Sequence, residues 1–108
     1  MDTRPNILTR LEQVIAERKD ASPDSSYVAE LNAKGIEKIA QKLGEEATEA
    51  VIASLSGSRE DLVGEAADVI FHLLVLLQAR RITLDEVLDE LNRREGTSGI
   101  EEKASRSE

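Results

Sequence analysis

The nine residues VIFHLLVLL, Val69 to Leu77, leave a helix no polar face to turn towards water. A surface helix spaces its apolar residues three and four apart, whereas this run is apolar at every position except His72. Any fold must therefore surround it. A small chain of short helices has little surface with which to do so. The run accordingly predicts a central helix in a bundle completed by a second copy of the chain. It is too short to span a bilayer, and the N-terminus MDTRPNILTRLEQ lacks the unbroken apolar stretch of a leader. We expect a soluble, cytoplasmic homo-oligomer, most simply a dimer, with no membrane partner.

The remaining sequence reads as helical. Ile7, Leu8, Leu11, Val14 and Ile15 recur with helical spacing and predict a first helix over 6–19, closed by the polar turn KDASPDSS. A second helix is expected from Ser25 or Ser26, either of which can cap it, to Ser56 and Gly57. It carries Val28, Leu31, Ile39, Leu43, Ala47, Ala50 and Val51 on one side and bends at Gly35. Ser58 with Asp61 has the form of a capping box and opens a third helix that runs to about Arg80. Thr83 with Glu86 opens a fourth that stops before Gly96. The expected fold is all-α: a four-helix bundle over 1–96, completed by homo-oligomerisation, with a polar and mobile tail over 97–108.

Composition limits the chemistry. The 108 residues suffice for one domain with a modest core. With 14 basic against 22 acidic side chains the net charge is −8, which repels a phosphate backbone and argues against nucleic acid as a partner. No cysteine and a single histidine exclude disulfides, thiolate sites and a multi-histidine zinc site within one chain. A metal site would have to be built from oxygen.

The oxygen is concentrated in two places. Gly44-Glu45-Glu46-Ala47-Thr48-Glu49 sets three carboxylates close together, and Glu65 and Asp68 follow beyond a short turn centred on Gly57. Such a turn makes its two helices antiparallel neighbours, so residues equally far from it lie at equal heights. Glu49 and Glu65 are each eight residues from Gly57, and Glu46 and Asp68 are each eleven. The two levels stand roughly 12 and 16 Å from the turn. Spacing of three puts Glu46 with Glu49, and Glu65 with Asp68, on one face of each helix. Ala47 falls level with Ala67 and Ala50 with Gly64, small residues expected to let the two backbones approach closely.

Four carboxylates gathered so repel unless a cation lies between them, and an oxygen cage suits a hard divalent ion, Mg2+ first and Mn2+ as a substitute. Magnesium completes its shell with substrate phosphates, which points to phosphate chemistry. Lys34, Lys38 and Lys42 repeat every four residues and predict a basic stripe running along the same helix into the carboxylates, suited to a polyphosphate. His72, four residues after Asp68, can orient a carboxylate, bind substrate or fill core. Tyr27 can line a pocket or pack, and Phe71 reads as core or interface.

The runs KGIEKIAQKLGEEATEAVIAS and EAADVIFHLLVLL resemble the phosphoribosyl-ATP pyrophosphatase family, within the wider all-helical group of MazG-like nucleotide pyrophosphohydrolases. The group's pattern is EExxE followed by ExxD. Here it is Glu45, Glu46 and Glu49, then Glu65 and Asp68, with 15 residues between. The segment SGIEEKASR is also similar, and the resemblance extends over 11–106; Phe71 departs from it, since members often carry tyrosine there. It implies hydrolysis of 1-(5-phosphoribosyl)-ATP to 1-(5-phosphoribosyl)-AMP and diphosphate, the second step of histidine biosynthesis. It implies magnesium held by Glu46, Glu49, Glu65 and Asp68, with Glu45 as a further ligand or a water-positioning base. Lys42 would contact phosphate, with Lys38 and Lys34 as secondary contacts. A rival reading is a house-cleaning nucleoside triphosphate pyrophosphohydrolase using the same cage, and a third is a non-catalytic acidic adaptor. Ser98, Gly99 and Lys103 are expected to fold over bound polyphosphate as a lid.

Overall fold

A computed structural model describes residues 4–95. A short 3₁₀ turn over Arg4–Asn6 leads into α1 (Ile7–Arg18), then α2 (Tyr27–Lys34), α3 (Ile36–Ser56), α4 (Arg59–Ala79) and α5 (Leu84–Arg94). Among the described residues there is no strand, as expected of an all-α chain. The tail from 97 onwards, with the expected lid, lies outside the described residues.

Three of the helix starts follow side-chain caps. Ser26 is the residue that caps α2, its hydroxyl accepting from the Ala29 N–H at 3.2 Å. Both capping boxes form: the side chains of Ser58 and Asp61 close on each other's backbone N–H at the start of α4, and those of Thr83 and Glu86 do so at α5. The expected second helix, however, is two helices. Gly35 sits at φ 98° and ψ 173°, backbone that L residues avoid, and there it ends α2 and begins α3 instead of bending one helix. The four expected helices thereby become five. A Cβ at Gly35 would meet nothing within 4 Å, so Gly35→Ala isolates the backbone cost. We expect it to lower stability by about 1–3 kcal/mol, read as an earlier urea midpoint at an unchanged m-value.

The core occupies one end of the molecule. Ile15, Val28, Leu31, Ile39, Leu74, Val75 and Leu84 are buried together, with Leu11, Phe71, Leu76, Leu77 and Ala79 packed against them. These residues come from all five helices, and α3 and α4 contribute only the ends remote from their shared turn. Burying each large side chain is worth about 1.5–3 kcal/mol, so this base holds the fold. Glu12 of α1 ties it further: its Oε2 accepts from the Leu84 N–H at 2.6 Å, at the first residue of α5.

Beyond the base the α3–α4 hairpin is nearly bare. Val51, Ile52, Leu55, Leu62, Val63, Ile70 and Leu73 are exposed, Leu55 to 83% and Val63 to 69%. Of α4 only His72, Leu74 and Val75 are buried, so the chain does not surround VIFHLLVLL by itself. By length and composition alone α4 would suffice to cross a membrane, with mean hydropathy 1.7.

The small residues do not set the spacing of the hairpin. A Cβ at Gly64 would meet nothing within 4 Å, and Ala47 and Ala67 are exposed, so these positions lie on the open surface and not between the helices. Close approach is required at the turn instead. A Cβ on Gly57 would come within 3.0 Å of the Ala53 carbonyl oxygen and 3.1 Å of Asp61 Oδ2.

Candidate metal centre

Two successive turns of α3 present Glu46 and Glu49, and α4 presents Glu65 across the hairpin. One carboxylate oxygen from each lies within 4.8 Å of the other two. The spacing of three along α3 and the antiparallel register produce this convergence, as the sequence predicts. Asp68 stands outside that close group. Distance from a turn fixes height along a helix but not rotation about it, and the Asp68 side chain is exposed, near enough to act on Glu46 and Glu65 through its charge alone.

The three carboxylates are held at an electrostatic cost. Burial pushes the Glu46 carboxyl above its ordinary value; the charge of Glu49, and a hydrogen bond with it that requires a proton, push the same way. The Glu46 side chain is only 12% exposed. Burial also raises Glu65, again with Glu49 as the next cause. The Oε2 atom of Glu65 is buried and has no hydrogen-bond partner. An orphaned, buried carboxylate oxygen beside two further carboxylates fits a hard cation, which would satisfy the oxygen and relieve the repulsion together. On the turn side a cleft of about 360 Å³ adjoins the group, lined by Glu49, Ile52, Ala53, Ser56, Gly57, Asp61 and Glu65. Asp61 has its own task there, accepting the Ser58 N–H at 3.1 Å.

The basic residues divide. Lys42 Nζ lies 3.3 Å from Glu45 and 3.8 Å from Glu46. Gln41 Nε2 donates to Glu45 Oε2 at 2.7 Å, and these contacts hold Glu45 below the usual carboxylate range on the lysine side, apart from the three converging carboxylates. Lys38 is on the same helix and acts on Glu45 through its charge. Lys34 is not part of that stripe. It is the last residue of α2, beyond the break at Gly35, and pairs with Glu30 at 3.0 Å.

One arrangement escaped the sequence reading. His72 is buried, and its Nδ1 lies 2.7 Å from the Asp68 carbonyl oxygen, which can only accept. Nδ1 therefore donates to it, and Nε2 lies within hydrogen-bond distance of the Tyr27 hydroxyl at 3.0 Å. The start of α2 is thus tied to α4 at the level of the carboxylates. The available signal was scarcity, since the chain has one tyrosine, one phenylalanine and one histidine.

Residues 8–95 match the family model described as phosphoribosyl-ATP pyrophosphohydrolase. A protein of Erythrobacter litoralis named phosphoribosyl-ATP pyrophosphatase is 68% identical over 103 residues, covering 95% of this chain and 99% of its own. One of the same name from Novosphingobium aromaticivorans is 68% identical over 101 residues, 94% of each chain. A third, from Trichlorobacter lovleyi, is 56% identical over 108 residues and covers all of both. The carboxylate cluster lies within the matched region, and the chain belongs to the phosphoribosyl-ATP pyrophosphohydrolase family.

Proposed function

We infer that this chain hydrolyses 1-(5-phosphoribosyl)-ATP to 1-(5-phosphoribosyl)-AMP and diphosphate, the second step of histidine biosynthesis. Its relatives carry the name of that hydrolase over nearly the whole chain. The observation that carries the reading is the convergence of Glu46, Glu49 and Glu65 around a buried oxygen with no partner.

Glu46, Glu49 and Glu65 would hold a divalent cation, Mg2+ or in its place Mn2+, with Asp68 completing the set from the adjoining turn of α4. The ion, when bound, would supply Lewis acidity towards phosphate oxygens. Lys42 donates to the polyphosphate, with Lys38 behind it on α3, while Lys34, paired with Glu30, contacts phosphate only by leaving that partner. Glu45, kept ionised by Gln41 and Lys42, positions the attacking water. Water adds at the α phosphorus, the bond to the bridging oxygen breaks, diphosphate leaves, and a carboxylate accepts the proton of the water.

The bare hairpin takes a second copy of the chain. Seven apolar side chains on two adjoining helices stand exposed in the single chain, and a homodimer buries them. A bilayer is the poorer cover, because Glu65 and Asp68 on α4 each cost about 3 kcal/mol at its centre.

Assay of the purified protein with Mg2+ on phosphoribosyl-ATP and on ordinary dNTPs tests the reading. Turnover of the former is expected, with release of diphosphate. Turnover of dNTPs alone would make it a house-cleaning enzyme, and no turnover of either would leave an adaptor.

A further inference from the structure

All of the aromatic rings in this chain meet in one place. The sequence has one tyrosine, one phenylalanine, one histidine and no tryptophan. Tyr27 and Phe71 are nearly parallel, with ring centroids 6.1 Å apart at 20°, and His72 stands edge-on to both at 5.7 and 5.2 Å. Phe71 is half-buried against the core and His72 is buried, whereas Tyr27 is 43% exposed. A ring needed only for packing would be covered. This one is partly open and yet fixed, because its hydroxyl is bound to His72, and His72 to the Asp68 carbonyl.

A fixed, half-exposed ring is a platform on which a flat heterocycle stacks. Its position suits a nucleotide: the Lys42 ammonium and the Glu46 carboxylate are both within electrostatic reach of the Tyr27 phenol. A base lying on Tyr27 would have Lys42 and Glu46 among its charged neighbours, the lysine suited to the phosphates it carries.

We propose that the exposed face of Tyr27, backed by Phe71 and held in place by His72, is the purine subsite of this enzyme. The assignment rests on the reading above that the substrate is an adenine nucleotide, and it names the group that recognises the adenine.

With no tryptophan and a single tyrosine, the intrinsic emission of the full chain comes from Tyr27 alone. Titrating the wild-type protein with AMP is expected to quench that emission saturably, beyond the loss the same AMP causes in free tyrosine by absorbing the exciting light, and tripolyphosphate, which has phosphates and no base, is expected to leave it unchanged. Tyr27→Leu is expected to raise KM for phosphoribosyl-ATP by about tenfold or more, the factor given by a stack worth about 1.4 kcal/mol. Its kcat and its inhibition by tripolyphosphate stay near the wild-type values, and Tyr27→Phe, which keeps the ring but loses its bond to His72, raises KM by less than Tyr27→Leu does. The proposal is overturned by an emission that ignores AMP, by tripolyphosphate quenching as well as AMP does, or by a Tyr27→Leu protein that loses tripolyphosphate and substrate alike. Failure of the functional reading looks different: the wild type then quenches with AMP but does not turn over phosphoribosyl-ATP.

Discussion

Turnover by a Glu46→Gln variant is expected to fall about 10²–10³-fold, the size of effect seen when one preorganised electrostatic contact to a transition state is removed. Its metal-free form is expected to melt higher than the parent. Both follow from one fact, the confinement of a largely covered carboxylate beside Glu49. The folded chain holds the Glu46 proton to a higher pH than the unfolded chain does. The stability linked to that proton is fully present below the ordinary value of 4.5 and is lost as pH rises through the raised one. At neutral pH the metal-free parent therefore bears an unrelieved charge that glutamine does not have. A gain of about 0.5–1 kcal/mol, some 3–6 °C in a domain of this size, is reasonable for relieving it. Calorimetry in EDTA at pH 7 and pH 5 checks this: the parent should approach the variant at the lower pH, and added Mg2+ should raise the Tm of the parent more than that of the variant. A Glu46→Gln protein that melts lower and turns over normally would remove Glu46 from any cage.

The second large effect concerns Val63, which is 69% exposed in the single chain. If one chain were the working unit, Val63→Glu would be a surface change within about 0.5 kcal/mol of neutral. In a dimer that buries the hairpin it places an unpaired carboxylate in an apolar interface, at a cost of several kcal/mol. We expect light scattering on the parent to give twice 11.9 kDa and on Val63→Glu to give 11.9 kDa, with activity lost on dissociation. A parent that scatters as a single chain would end the argument for a partner copy.

Much of this was legible because it is local. Caps such as Ser58 with Asp61 involve neighbours in sequence, and the heights of Glu49 and Glu65 follow from counting along two helices joined by a two-residue turn. Rotation about a helix axis is not local, which is why Asp68 was placed with the close group and Gly64 between the helices. The break at Gly35 depends on a positive φ that composition does not reveal, and it removed Lys34 from the basic stripe. The contact of Tyr27 with His72 spans 45 residues, and no periodicity within one helix encodes it.

The hydrogen bond from the Leu84 N–H to Glu12 spans 72 residues and joins α1 to α5. A nascent chain emerging from the ribosome makes Glu12 early and its partner late. Until α5 has been synthesised, α1 lacks this contact and the core lacks Leu84. Fragments that end before Leu84 should therefore bind chaperones or be degraded even though they contain every residue of the carboxylate cluster.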